Sequence, residues 1–153
     1  MEFDYIIKNG NIIDGSGNPA FKGDVGIKDG KIAAVGSLEE AYAATVIDAE
    51  GKWVTPGFID IHRHGDMAAF RDDFGELELK QGITTMLNGN CGLSAAPINE
   101  KNAAYMEPVI GKPEAKADTS GLEGYLKSLE KQGVAVNCGM LAGNGTVRSA
   151  LFG

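Results

Sequence analysis

Apolar residues are spaced in two different ways along this chain. Over residues 3–54 short apolar runs alternate with turn signals, which is typical of β-strands. From residue 56 onward, runs of strand length alternate with segments of helical spacing, the pattern of strand–helix units. We therefore expect a small sheet or half of a β-sandwich over residues 1–55, followed over residues 56–153 by three strand–helix units of a parallel α/β fold.

Turn and helix-cap residues in the N-terminal part predict one hairpin turn and one short helix. Asp29-Gly30 lies between two apolar runs and favours a two-residue hairpin turn. Ser37 is followed three residues later by Glu40, which is a capping-box pattern. We therefore expect a short helix from this box to Ala44.

The C-terminal part is predicted to place three strand ends together. Strands are expected over residues 58–62, 83–87 and 134–141, and helices over residues 74–80, near 100–107 and after a capping box at Ser120 and Glu123. Parallel strands end on one face of such folds, and that face carries the chemistry. The segments 62–66, 88–92 and 142–146 are thus expected to be neighbours.

Composition and charge narrow the classes of function. The chain has 153 residues, 43% of them hydrophobic, and a formal net charge of −7. This balance argues against a nucleic-acid-binding surface, which is normally basic. No apolar run reaches the length of a membrane span, and the acidic N-terminus lacks the apolar region of a signal peptide. We expect no nucleic-acid or membrane partner and a cytoplasmic location.

The two histidines of the chain, His62 and His64, are one residue apart at the end of the predicted strand 58–62. Alternate strand residues point to the same side, so both imidazoles can reach a single ion. Neutral imidazole is a common zinc ligand. The alternative is two histidines at a surface strand end without a metal.

The two cysteines are assigned different roles. Cys91 directly follows the second predicted strand of the C-terminal part, where a thiolate could join the two histidines as a zinc ligand. Its alternative is a small buried apolar residue. Cys138 lies inside an apolar run and is predicted to be core. The pair could form one disulfide, but in a reducing compartment we expect free thiols or one ligand.

Other polar residues near the strand ends carry weaker signals. Asp66 could support the histidines or contact substrate, or it could be an ordinary loop carboxylate, whereas Asp60 is predicted to be structural. Arg148 could bind a substrate carboxylate, although a solvated arginine near a helix start is the simpler interpretation. Arg148 also stands where a dinucleotide fingerprint needs its third glycine, which excludes a Rossmann site in Gly143-Asn144-Gly145.

Three strand–helix units do not close a barrel, and a parallel half-sheet leaves an apolar edge exposed. The sequence ends at Leu151-Phe152-Gly153 without a terminating signal. We expect the chain to be the N-terminal portion of a longer protein, or one piece of a split one. The remainder of the chain, or a second chain, is then needed to complete the fold.

Several motifs resemble those of the amidohydrolase superfamily. They are Asn9-Gly10 through Asp14-Gly15, Asp24-Val25 with Ile27, Asp29-Gly30-Lys31-Ile32, and the run from Val54 to His64. Three further segments, Gly82-Ile83-Thr84-Thr85, Gly89-Asn90-Cys91-Gly92 and Ser94-Ala95-Ala96-Pro97, resemble the D-aminoacylase (N-acyl-D-amino-acid deacylase) branch. The resemblance implies a (β/α)8 barrel, of which this chain is the N-terminal part, preceded by a small β-sandwich segment.

The resemblance also implies a chemistry. It implies one or two zinc ions at the barrel mouth, with His62, His64 and Cys91 as ligands by motif match. It implies hydrolysis of the amide bond of a small N-acyl-D-amino acid, with the general base downstream of residue 153, so that no catalytic residue is assigned here. Relatives often have histidine where this chain has Asn144. The alternatives are a cyclic amide hydrolase (hydantoinase- or dihydroorotase-like) and an inactive fragment or structural half-barrel.

Overall fold

The computed structural model describes residues 2–153, which form two compact units, one ending at Pro56 and the other running from Gly57 to Gly153. The first unit is a sheet of five strands: β1 (Glu2–Ile12), β2 (Phe21–Lys28), β3 (Lys31–Gly36), β4 (Tyr42–Asp48) and β5 (Trp53–Val54). The order is β3-β2-β1-β4, with β5 also paired to β1. Strand β2 is antiparallel to β1 and β3, whereas β4 and β5 run parallel to β1.

The predicted hairpin turn is present, and the predicted helix after it is wrong. Asp29 and Gly30 have φ values of 51° and 70°, the positive values that a type I′ turn requires. The segment predicted as a helix up to Ala44 instead leads into β4. The amide of Leu38 donates to the Asp24 carboxylate at 2.9 Å, and β4 pairs with β1, so tertiary partners replace the local cap.

The second unit is a mixed α/β fold built on a three-stranded parallel sheet of order β6-β7-β8. Its strands are β6 (Phe58–Asp60), β7 (Ile83–Asn88) and β8 (Asn137–Met140). Its helices are α1 (Glu76–Lys80), α2 (Ala103–Ile110), α3 (Leu122–Gln132) and α4 (Asn144–Phe152), with a 3₁₀ turn at Met67–Phe70. Within residues 57–153 these strands form an open sheet and no closed barrel.

An apolar cluster joins α2, α3 and the 3₁₀ turn of this unit. Its buried centre comprises Met67, Phe70, Met106, Tyr125 and Leu129. The rings of Phe70 and Tyr125 meet edge to face at 5.4 Å, and the Tyr125 hydroxyl donates to the carbonyl of Asp66 at 2.5 Å. The cluster therefore fixes the segment that follows the two histidines.

Three expectations for this unit need correction. Strand β6 is shorter than residues 58–62, and its apolar residues are exposed: Phe58 is 58% and Ile59 64% accessible. The Asp60 carboxylate accepts the His62 amide and ends the strand early, and the described residues leave the side chains of Phe58 and Ile59 largely uncovered. Strand β8 likewise covers half of residues 134–141. The capping box does not form, because the Ser120 hydroxyl donates to Asp118 instead of capping α3.

No helix among residues 2–153 combines the length and apolarity needed to cross a membrane.

Candidate metal centre

The two histidines lie just beyond the end of β6 rather than on it. The amide of His62 donates to the Asp60 carboxylate at 3.1 Å, which ends the ladder and gives Asp60 the structural role expected from the sequence. The amide of Arg63 then donates a hydrogen bond to the carbonyl of Leu87 on β7 at 3.2 Å. The chain is thereby held beside β7 while both imidazoles are exposed.

Cys91 lies in a tight turn after β7. Its φ is 56°, a left-handed value that is uncommon for a residue with a side chain. The flanking glycines Gly89 and Gly92 have φ values of 79° and 78°. The amide of Leu93 donates to the carbonyl of Asn90 at 2.9 Å and closes this turn. Backbone strain of this kind occurs preferentially at functional sites.

The structure brings all three predicted ligands together. The Nε2 of His62 lies 3.3 Å from the Sγ of Cys91, and the two imidazole rings are 5.9 Å apart between centroids. One ligand atom from each of His62, His64 and Cys91 lies within 4.8 Å of the others. Bond lengths in a tetrahedral zinc site separate ligand atoms by about 3.3–3.8 Å. Two imidazoles and a thiol at this spacing match the nitrogen and sulfur donors that zinc prefers.

A buried carboxylate beside these residues also fits a cation. Asp66 is fully buried, and neither of its carboxylate oxygens has a hydrogen-bond partner among the described residues. Burial raises the pKa of Asp66 above its ordinary value, whereas the nearby His64 imidazole acts in the opposite direction. A carboxylate that accepts a hydrogen bond from a histidine ligand is common in metal sites, but Asp66 makes no such bond to His64 among the described residues. The donor set and this carboxylate both fit a divalent metal.

Arg63, between the two histidines, points away from them into an ion pair. Its guanidinium pairs with the buried carboxylate of Glu78 on α1 and lies 3.8 Å from Asp60. A guanidinium and a carboxylate form a charge-assisted hydrogen bond, which is stronger than one between neutral groups. The segment that carries the histidines is therefore anchored to a helix as well as to a strand.

Cys138 is not part of the cluster of His62, His64 and Cys91, as the sequence predicted. It packs against the apolar cluster of the second unit, and both cysteines are free. Burial raises the pKa of the Cys138 thiol to about 11. At neutral pH this sulfur is protonated, so it is a poor metal ligand and a poor nucleophile.

This difference predicts selective alkylation. Iodoacetamide at pH 8 is expected to modify exposed Cys91 and to leave Cys138 unmodified, because about one Cys138 thiol in a thousand is ionised there. Since the thiolate reacts, the Cys138 rate is expected to rise with pH up to about 11. Mass spectrometry after timed quenching measures both sites, with a guanidinium-unfolded sample as the control. Equal rates in the folded protein at pH 8 would contradict the assignment.

Two further residues considered in the sequence, Arg148 and Asn144, lie exposed on α4. Arg148 is exposed on α4, with its guanidinium carbon 5.9 Å from the centroid of the Phe152 ring. Asn144 is exposed at the first position of α4.

Sequence reasoning missed the two buried asparagines, Asn88 and Asn90, that bond to the histidine segment. The sequence feature that could have indicated their role is the position of one asparagine on each side of Gly89, directly after a predicted strand.

Comparison with known proteins gives consistent results. A profile of the amidohydrolase family matches residues 45–147. The chain is 36% identical over 155 residues to a D-aminoacylase of Alcaligenes xylosoxydans xylosoxydans, covering 98% of this chain and 31% of that protein. The chain thus spans about a third of the length of this curated relative.

Solved structures show the same similarity. An N-acyl-D-glutamate deacylase from Bordetella bronchiseptica, complexed with zinc and a phosphonate that mimics the tetrahedral intermediate, matches with a TM-score of 0.84 and 37% identity. A D-aminoacylase studied for its binuclear metal centre matches with a TM-score of 0.86 and 35% identity. Each match covers 98% of this chain and 31% of the solved chain. The chain belongs to the amidohydrolase family and resembles, within it, the D-aminoacylases and N-acyl-D-amino-acid deacylases.

Proposed function

We propose that this chain is the N-terminal part of a zinc-dependent enzyme that hydrolyses the amide bond of N-acyl-D-amino acids. The observation that carries the proposal is the convergence of His62, His64 and Cys91 within 4.8 Å at the ends of two neighbouring strands. The similarity to D-aminoacylases over 98% of the chain supports the substrate class. The products are a carboxylate and a free D-amino acid.

The proposed zinc ligands of this chain are His62, His64 and Cys91, shared between one or two ions. When bound, zinc supplies a Lewis acid that polarises the amide carbonyl and activates water. The three ligands are exposed, so a small substrate can approach them from solvent. Asp66 is buried near the His64 imidazole. The general base is proposed to lie beyond residue 153, since this chain spans about a third of the length of its D-aminoacylase relative.

The three strand–helix units are proposed to be the first of a (β/α)8 barrel, with residues 1–55 contributing to a β-sandwich. The exposure of apolar Phe58, Ile59 and Ile61 supports this arrangement, because a barrel strand is normally covered on both edges and both faces. The greater length of the relatives supports it as well. By this proposal the 153 residues alone do not hydrolyse the substrate.

The full-length natural protein tests the proposal. We expect it to release amine from N-acetyl-D-amino acids, to leave the N-acetyl-L-amino acids largely intact, and to lose activity on dialysis against a chelator. Added zinc is expected to restore activity. A cyclic amide such as a hydantoin belongs in the same panel, since turnover of that substrate alone would favour the alternative function. Hydrolysis that is indifferent to chelation would contradict the proposal.

A further inference from the structure

We infer that Asn90, assisted by Asn88, is a positioning residue that holds His64 opposite Cys91. The inference rests on the proposed metal site. Its starting point is that His64 and Cys91 follow two different strands, β6 and β7, and are 27 positions apart in sequence. Their spacing depends on whatever connects these two strand ends.

The carboxamide of Asn90 makes that connection. Its Nδ2 donates to the carbonyl of Arg63 at 3.1 Å and to the carbonyl of Leu87 at 2.7 Å. The same Leu87 carbonyl accepts the amide of Arg63 at 3.2 Å. Asn90 is 8% exposed, so water does not readily replace these hydrogen bonds.

Asn88 completes the arrangement on the other side of His64. Its Oδ1 accepts the amide of Gly65 at 2.9 Å, and the residue is fully buried. Arg63 precedes His64 and Gly65 follows it, so the backbone is fixed by an asparagine on each side of the proposed ligand. Asn90 is also the direct neighbour of Cys91. One side chain thus connects the residue before His64 to the turn that presents the thiol.

A control residue separates positioning from general stability. Asn102 is fully buried, and its Nδ2 donates to Pro97, Thr146 and Ser149 at 3.1–3.4 Å. It contacts none of the proposed ligands through these bonds. Its Oδ1 also accepts the amide of Asn99 at 2.8 Å, so removing the Asn102 amide costs more hydrogen bonds than removing that of Asn90, but it leaves the connection between Arg63 and Leu87 intact.

The experiment measures metal binding in the full-length protein with cobalt(II) as the probe. Cobalt bound to a thiolate gives a charge-transfer absorption that reports the Cys91 bond directly. Asn90→Ala is expected to weaken cobalt affinity by about 10–100-fold and to lower this absorption, as loss of a group supporting metal ligands commonly does. Asn102→Ala is expected to lower the melting temperature while its cobalt affinity stays within about twofold of wild type.

Each outcome decides a separate claim. Wild-type affinity and absorption in Asn90→Ala would overturn the positioning role and leave the proposed function standing. Equal weakening in Asn102→Ala would overturn it too, because the effect would then be general. A wild-type protein that binds no cobalt would overturn the metal site itself. If Asn90→Ala does not fold, Asn90→Ser is measured by the same criteria, since its hydroxyl donates one hydrogen bond where the amide donates two.

Discussion

Replacing Cys91 with alanine is expected to lower zinc affinity by more than about 100-fold and to reduce hydrolysis in proportion. The substitution removes the one sulfur that lies with both imidazoles, and losing a ligand costs more than losing a supporting group. Cys138→Ala is the matched control, because this sulfur packs in the apolar cluster. Equilibrium dialysis with zinc and a steady-state assay of the full-length protein provide the measurements.

The backbone at Cys91 allows folding to be measured separately from metal binding. In the metal-free protein, Cys91→Gly is expected to be more stable than Cys91→Ala by about 1 kcal/mol, because glycine adopts a φ of 56° without strain. Both variants lack the thiol, so both are expected to bind zinc equally weakly. Zinc affinity close to wild type in either variant would remove Cys91 from the ligand set.

Gly89→Ala is expected to destabilise the protein by about 2–4 kcal/mol and to disturb the Cys91 turn. A Cβ at this position lies 2.3 Å from the carbonyl oxygen of Leu141 and 2.8 Å from its amide nitrogen. Backbone atoms cannot rotate away, so the clash adds to the strain of alanine at a φ of 79°.

Gly92→Ala is the matched control for this prediction. Its φ is 78°, but the nearest atom to an added Cβ is the Gly145 nitrogen at 3.6 Å, an ordinary contact. We expect a loss of about 1 kcal/mol there, from the conformational term alone. Denaturant unfolding of both variants measures the difference. An equal loss of unfolding free energy in the two variants would show that the contact with Leu141 does not contribute to the destabilisation.

The convergence of His62, His64 and Cys91 was predictable because it follows from a general property of parallel sheets. Strand ends meet at one edge, so two histidines after one strand and a cysteine after the next are brought together whatever the details of packing. The three-stranded sheet and the helix α3 follow similarly from apolar spacing. These features depend on patterns that span many residues.

The failures have a common physical origin in polar side chains that bond backbone amides and carbonyls. Asp24 accepts the Leu38 amide, which removes the helix expected after Ser37. Asp60 takes the His62 amide, which ends β6 early. The connection made by Asn90 was missed for the same reason, since its partners are backbone carbonyls of Arg63 and Leu87. A single sequence does not reveal which backbone group a buried polar side chain will meet.

The pairing of Arg63 with Glu78 connects the first helix of the second unit to the segment that carries the proposed ligands His62 and His64. Helix α1 has five residues, too few to be stable without packing against its surroundings. By reciprocal linkage, any ion that favours the ordered histidine segment must also favour the folded state of α1. If the proposed site binds zinc, amide hydrogen exchange in residues 76–80 is therefore expected to slow when zinc is added, although that helix contributes none of the proposed ligands.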